Sequence, residues 1–406
     1  VSGAIRIVSV GAPVAGGGHA DAAAIAAALS DAGLPAGAHV VIDDDEDALE
    51  EALRGDGVAA IVAGVGSSAG DSVRRVLSRI TGGRLLLNER MRALIEAHYA
   101  RVDRPVPRSA ERLALLPQGA LVAEGDTPVW TLETATSAWM VFLRGRVAEA
   151  IERTLLPLVS ERSGTRGGLA IRTFKTAGVS AEEIEDRLVD RLAEPDVTVT
   201  TLPGDGEVWV RLRARGRTPA AAAKTLADVE PTVADLLGDD CYGADADTLE
   251  LVVGGLLRAR GATLAVAESC TGGLVGHRLT GVAGASAYFA RGVTVSSNPA
   301  KEELLGVDEA ILRTHGDVSG PCAEAMARGV RDRAGTACGL SIVGVAGPDG
   351  GTPTKPAGTV FIGLALDSEV SARRFRFSGD RAAVKWQASV MALDMLRRRL
   401  QVEAPP

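Results

Sequence analysis

TLAVAESCTGGLVGHRL, Thr263 to Leu279, runs an apolar strand directly into a glycine turn and then a helix. Thr263 to Glu268 is a short, nearly continuous apolar run, as in a strand buried on both faces. The turn Ser269-Cys270-Thr271-Gly272-Gly273 then falls at the carboxyl edge of a sheet, where open α/β folds bind ligands. A helix N-terminus favours an anion, whether a phosphate or a developing oxyanion. Gly272 and Gly273 allow a ligand close to the backbone. The same turn also reads as an ordinary N-cap, with Ser or Thr satisfying the first helical N–H groups.

Two neighbouring segments strengthen the ligand reading. GVTVSSNPAKEELLGV (Gly292 to Val307) takes a strand to Asn298-Pro299-Ala300-Lys301, and VGVAGPDGGTPTKPAGTV (Val343 to Val360) joins two strands by a Gly/Pro loop. Such loops at strand ends usually bind something. Lys301 at a helix start opposes the helix dipole and asks for an explanation. The helix of the Asp245–Gly261 region places Leu249, Val252, Val253, Leu256 and Leu257 on one stripe, and a helix from Arg381 to Leu400 closes the chain. Residues 243–406 therefore read as a three-layer α/β/α domain.

Upstream, IRIVSV, HVVI and AAIVAGV alternate with helices from Asp21, Asp43–Asp47 and Asp71, giving βαβ units and a parallel sheet within residues 1–165. The linker SGTRGG (Ser163 to Gly168) precedes a change of character. Residues 166–242 read as a small α+β module: strand LAIRTF, helix Ala181–Leu192, a VTVTTL/EVWVRLRAR hairpin turning on Asp205-Gly206, and helix Pro219–Leu237.

The chain has 406 residues, 46% hydrophobic and 24% charged with 3% aromatic, so Ala, Val, Leu and Ile build the core. That is the material of α/β folds, and the length suggests about two to three domains. A net charge of −8 argues against a nucleic-acid partner, although a local basic patch stays compatible with it. Cys241, Cys270, Cys322 and Cys338 form no CxxC pair and the five histidines lie apart from them, so neither a zinc cluster nor a disulfide framework is readable. No leader pattern or membrane-length apolar run is seen, and the expectation is a cytoplasmic protein with no membrane partner.

The three C-terminal segments together resemble the nicotinamide-nucleotide amidase domain of the competence/damage-inducible protein A (CinA) family. AESCTGG is nearly diagnostic, and the GP-GG-P-GTV loop and the closing FSGDRAAVKWQASVMALDML agree with it. The resemblance covers about 150 residues strongly and extends weakly through LGDDCYGADADTLELVV and LAIRTFKTAGVSAEEIEDRL. It implies hydrolysis of the carboxamide of nicotinamide mononucleotide to carboxylate and ammonia, by a homodimer without metal or cofactor. The catalytic serine falls on Ser269 and the lysine on Lys301. A serine hydroxyl needs an adjacent base. A lysine serves only when desolvated or beside another cation, so Lys301 is expected partly buried next to Ser269.

The oxyanion is expected at the N–H groups of Thr271–Gly273 or of the loop carrying Gly347, Pro348, Gly350 and Gly351, the free turn taking the phosphate. Asn298, Thr271 and Ser286 are further candidate substrate contacts. Cys270 is the rival nucleophile, but adjacent residues point in different directions. The family commonly has a tyrosine where this chain has Ser296, which removes a stacking surface for the pyridine ring.

The first 165 residues resemble the family's molybdopterin-binding-like domain in pattern. In relatives that domain cleaves a pyrophosphate such as ADP-ribose with a divalent metal. Here the family's GDELL reads Gly11-Ala12-Pro13-Val14-Ala15, the expected asparagine falls on Ala23, and Ala63–Asp71 keeps one aspartate of two. The later loop, Leu143–Glu149, lacks both prolines. Asp71 with Glu149 is a thin set for a hard cation, so the domain is expected to be a scaffold or dimerisation surface. Asp43, Asp44 and Asp45 read as an acidic helix start rather than metal ligands. The middle module resembles a KH-like fold without a clear GXXG loop or basic face for RNA, and reads as a spacer. Three functions stay open: the amidase, a non-catalytic nucleotide-binding or regulatory protein, and a two-headed enzyme that also cleaves ADP-ribose.

Overall fold

The computed structural model describes residues 5–11, 18–34, 36–43, 45–63, 68–107, 110–143, 147–163, 168–189 and 196–402. They form two compact units that divide between Leu169 and Ala170.

The first unit holds a six-stranded sheet in the order 36–42, 5–10, 57–63, 137–143, 130–133, 121–122. The first four strands are parallel, as strand-helix alternation requires, and the last two run antiparallel at the edge. Leu49, Val73 and Leu77 pack on one face and Ile25, Leu29 and Ile151 on the other, which makes three layers. Asp45 caps helix Glu46–Leu53, accepting from the N–H groups of Asp47 and Ala48 at 2.9 and 3.0 Å. Asp71 is buried against Arg74 and lies 3.2 Å from Arg112, while Glu149 accepts from Arg153 at 2.9 Å. Both carboxylates considered as metal ligands are thus already held by guanidinium groups. Residues 12–15, 44, 64–67 and 144–146, which carry other departures from the family pattern, lie outside the described residues.

The second unit opens with the small module: β1 (Gly168–Ala177), α1 (Ala181–Leu188), β2 (Val197–Pro203), β3 (Glu207–Gly216), α2 (Pro219–Leu237) and β4 (Cys241–Ala244). Its sheet runs β2-β3-β1-β4. The β2–β3 hairpin turns where expected, with Gly206 at φ +83° and Gly204 N–H donating to Glu207 O at 2.9 Å. Helix α1 starts at a capping box of Ser180 and Glu183. Residues 190–195, which include the expected end of that helix, are outside the described set.

There follow α3 (Leu249–Ala259), β5 (Leu264–Glu268), α4 (Leu274–Thr280), β6 (Phe289–Thr294), α5 (Asn298–Leu305), α6 (Glu309–His315), α7 (Gly320–Ala334), β7 (Cys338–Gly344), β8 (Thr359–Leu366), β9 (Glu369–Arg376) and α8 (Arg381–Val402). The sheet order is β6-β5-β7-β8-β9. β5 is parallel to both neighbours, whereas β8 runs antiparallel to both β7 and β9. A tight turn at Asp367 (φ +50°) joins β8 to β9 in place of a helical crossover. Helices α3, α4 and α8 cover one face through Val253, Val275, Leu279 and Ala388. Helices α5, α6 and α7 cover the other through Leu305, Leu312, Met326 and Val330. Among the described residues no helix is long and apolar enough to cross a membrane.

Candidate active site

The carboxyl ends of β5 and β6 form the switch point of this sheet. β5 leads into α4 on one face, and its parallel neighbour β6 leads into α5 on the other. The two connections diverge and leave a crevice between them, the place where open α/β sheets take ligands. Ser269 follows β5 and Lys301 lies in the first turn of α5, so the two residues follow the carboxyl ends of neighbouring parallel strands.

Glu268 builds the Ser269 side. Its side chain is buried and accepts three backbone N–H groups, from Gly273 at 3.0 Å, Val275 at 3.2 Å and Gly276 at 2.9 Å. Gly272 (φ +65°) and Gly273 (φ +94°) supply the left-handed conformation that curls the chain around this carboxylate. The positive end of α4 is therefore filled by an internal anion. The expectation that Gly273 offers its N–H to an oxyanion is corrected by this bond. The N–H groups of Thr271 and Gly272 have no acceptor among the described residues. The Thr271 hydroxyl is buried without a partner among the described residues. Ser269 is half-buried, and its N–H continues the ladder to Ile342 O at 2.9 Å.

Lys301 is 1% exposed. Its Nζ donates to Asn298 Oδ1 at 3.3 Å and lies 3.6 Å from Asp317 Oδ2, a carboxylate in the α6–α7 connection. No hydrogen bond joins it to Ser269 among the described residues. Burying an ammonium against one half-exposed carboxylate adds little to stability, because desolvation offsets the attraction. Asp317 was not singled out from the sequence, since a lone aspartate between helices carries no local signal.

Cys270 is half-buried in the same turn, and burial, with the Glu268 charge beside it, pushes its thiol up to about 12. At pH 8 roughly one such thiol in ten thousand is ionised, against about a quarter of an ordinary cysteine. Iodoacetamide at pH 8 is therefore expected to leave Cys270 unmodified while it labels a free thiol standard. Rapid carboxamidomethylation of Cys270, read by peptide mass, would restore it as the nucleophile.

Ser286 is placed elsewhere. It sits in the single turn Ala285–Ala287 before β6, and β6 begins opposite Leu264, the first residue of β5. Five residues of strand, about 16 Å, separate it from the carboxyl edge. The candidate substrate contact at Ser286 is thus at the wrong end of the sheet. Ser296 is exposed on the rim beside Asn298, with no aromatic ring at that position.

On the α8 side a cavity of about 1010 Å³ is lined by Leu274, Gly347, Pro348, Phe377, Trp386 and the cations Arg376, Arg381 and Lys385. Arg381 donates to Gly347 O at 2.9 Å, which ties the Gly/Pro loop to α8. A side chain at Gly272 would meet Lys385 Nζ at 3.7 Å, so the cavity abuts the turn. Gly350 and Gly351 are exposed at the tip of the loop. The FSGDRAAVKW segment that carries Arg381 and Lys385 was legible as a family motif, but its cations could not be placed without the fold. Among the described residues no three His, Cys, Asp or Glu side chains gather as a metal cluster.

These features define a mixed-sheet, three-layer α/β/α domain with a switch-point crevice, joined to a small α+β module. Residues 246–400 match the family model of the CinA C-terminal domain, and residues 171–243 match that of the damage-inducible protein CinA KH domain. A CinA-like protein of Geobacter metallireducens is 37% identical over 390 residues, covering 94% of each chain. One of Geobacter sulfurreducens is 39% identical over 399 residues, again covering 94% of each. The crystal structure of a CinA superfamily protein from Klebsiella pneumoniae is 37% identical, covers 38% of this chain and 96% of its own, and has a TM-score of 0.37. The chain belongs to the CinA family.

Proposed function

We propose that the C-terminal domain is an amidohydrolase that converts nicotinamide mononucleotide to nicotinic acid mononucleotide and ammonia. The observation that supports this reading is a fully buried amine, Lys301, in the first turn of the helix that follows β6, the parallel neighbour of the strand that Ser269 follows. In this reading Ser269 Oγ attacks the carboxamide carbon and its proton passes to Lys301. The N–H groups of Thr271 and Gly272, without acceptors among the described residues, are suited to the oxyanion. Collapse releases ammonia with the proton held by Lys301. Water then cleaves the acyl-serine to the carboxylate. The phosphate goes to Arg381 and Lys385, and Phe377 and Trp386 supply aromatic walls that Ser296 does not.

The test is ammonia release by the full chain from the mononucleotide, the riboside and the dinucleotide. The expected result is turnover of the mononucleotide with one ammonia per nicotinic acid product. The engagement of Lys301 by Asn298 and Asp317 favours a second reading, a non-catalytic nucleotide-binding protein. Tight binding of the mononucleotide by calorimetry with no ammonia at any pH would select it. A homodimer belongs to the same proposal, and light scattering at twice the chain mass checks it.

A further inference from the structure

Arg278, on α4, is a buried cation that the proposed chemistry leaves unused. Its Nη2 donates to Glu250 Oε2 on α3 at 2.7 Å, and its Nη1 donates to Ser389 Oγ on α8 at 2.9 Å. Ser389 Oγ in turn donates to Trp386 O at 2.7 Å. The guanidinium carbon lies 4.7 Å from the centroid of the Trp386 ring, and Arg278 Nε is buried without a hydrogen-bond partner among the described residues. Trp386 is 38% exposed and lines the cavity of about 1010 Å³. Leu274, four residues ahead of Arg278 and on the same side of α4, lines it too. The indole thus rests on a held cation and shows its exposed part to the cavity.

The face of an indole attracts a cation, but a bare cation behind the ring would repel a second one in front of it. Glu250 neutralises Arg278, so the exposed indole surface keeps its attraction for a flat, positive ligand. The same cavity carries Arg376, Arg381 and Lys385, which repel a lone cation. A molecule with a positive ring and a negative phosphate satisfies both sets of groups. A pyridinium nucleotide is such a molecule, whereas its reduced, dihydropyridine form keeps the phosphate and loses the ring charge. We propose that Trp386 is the plate on which the pyridinium ring lies, that it selects the oxidised over the reduced nucleotide, and that Arg278 is the positioning residue that holds the indole for it. This assignment rests on the mononucleotide reading of the same cavity. Arg278 lies within the strand-turn-helix motif, but its partners are 28 and 111 residues away along the chain, so no local pattern marks it.

The test is calorimetric binding of oxidised and reduced nicotinamide mononucleotide to the full chain carrying Ser269→Ala, so that the readout does not depend on turnover. The oxidised form is expected to bind about tenfold tighter than the reduced form. Adding Trp386→Ala is expected to weaken the oxidised form about tenfold and to remove most of the preference. Arg278→Lys keeps the charge but not the two-armed hold, and is expected to weaken the oxidised form about threefold with Trp386 present and to change nothing once Trp386→Ala is made. Where Arg278→Lys fails to fold, Ser389→Ala loosens the same hold with a smaller change, and its effect is likewise expected to vanish with Trp386→Ala. Equal binding of the two forms, an unchanged affinity in Trp386→Ala, or an Arg278→Lys effect of the same size with and without the indole each overturns the proposal, as does absence of binding. The expected binding pattern without ammonia release by the parent chain leaves the plate standing and removes the amidase. Ammonia release with the same kcat/KM in Trp386→Ala does the reverse.

Discussion

Ammonia release from nicotinamide mononucleotide is expected to fall by about 10³-fold or more in Ser269→Ala, with thermal unfolding unchanged. The hydroxyl makes no bond that the fold depends on. Ser269 holds its place through its N–H to Ile342 O at 2.9 Å, and alanine keeps that bond. Lys301→Met is expected to lose a similar factor, because the methionine fills the same buried volume without an acceptor for the serine proton. Lys301→Arg is not expected to rescue activity, since a guanidinium does not give up its proton. Cys270→Ala is expected to keep most of the rate, in line with a thiol pushed up to about 12 by burial. Measured kcat/KM for the four variants checks the set. A Ser269→Ala protein that keeps more than a tenth of the parent rate sinks the acyl-serine step.

Glu268→Ala is the second large effect, and it acts through the fold. Three backbone N–H groups, of Gly273, Val275 and Gly276, lose their acceptor together. An unsatisfied buried donor costs about 1–3 kcal/mol, and water entry relieves part of this, so a total near 3 kcal/mol is expected. At about 2–4 °C per kcal/mol for a domain of this size, the unfolding midpoint drops by roughly 6–12 °C. Activity is expected to fall as well, because the turn that carries Ser269 and the free N–H groups of Thr271 and Gly272 loses its anchor. Glu268→Gln keeps one acceptor oxygen but turns an amide N–H₂ toward backbone donors, and should lie between the parent and alanine. Calorimetry separates the two cases: Ser269→Ala loses rate and keeps its midpoint, while Glu268→Ala loses both. An unchanged midpoint in Glu268→Ala would overturn the anchoring role.

The elements of the second unit were legible where short apolar runs end at glycine or an N-cap. β5, the helix from Leu249 and the Asp205-Gly206 hairpin all fall near their expected positions. Strand direction was less legible. Thr359–Leu366 reads as a strand whichever way it runs, and only pairing with Cys338–Gly344 makes it antiparallel. Ser269 and Lys301 were found through motif and resemblance. Glu268 was visible in the same motif, but nothing local reveals that a carboxylate folds back onto the next helix. Ser286 was misplaced because distance along the chain does not say at which end of a parallel sheet a loop emerges.

By itself the sequence determined the alternation of strands and helices, the glycine turn after Glu268 and the membership implied by AESCTGG, because these depend on neighbours within a few residues. Tertiary structure decided what those residues face. It divided α4 from α5 across the sheet, sank Lys301 beside Asp317 and filled the α4 N-terminus with Glu268. Burial and pairing are set by segments far apart in the chain, and a local pattern of residue types contains no term for them.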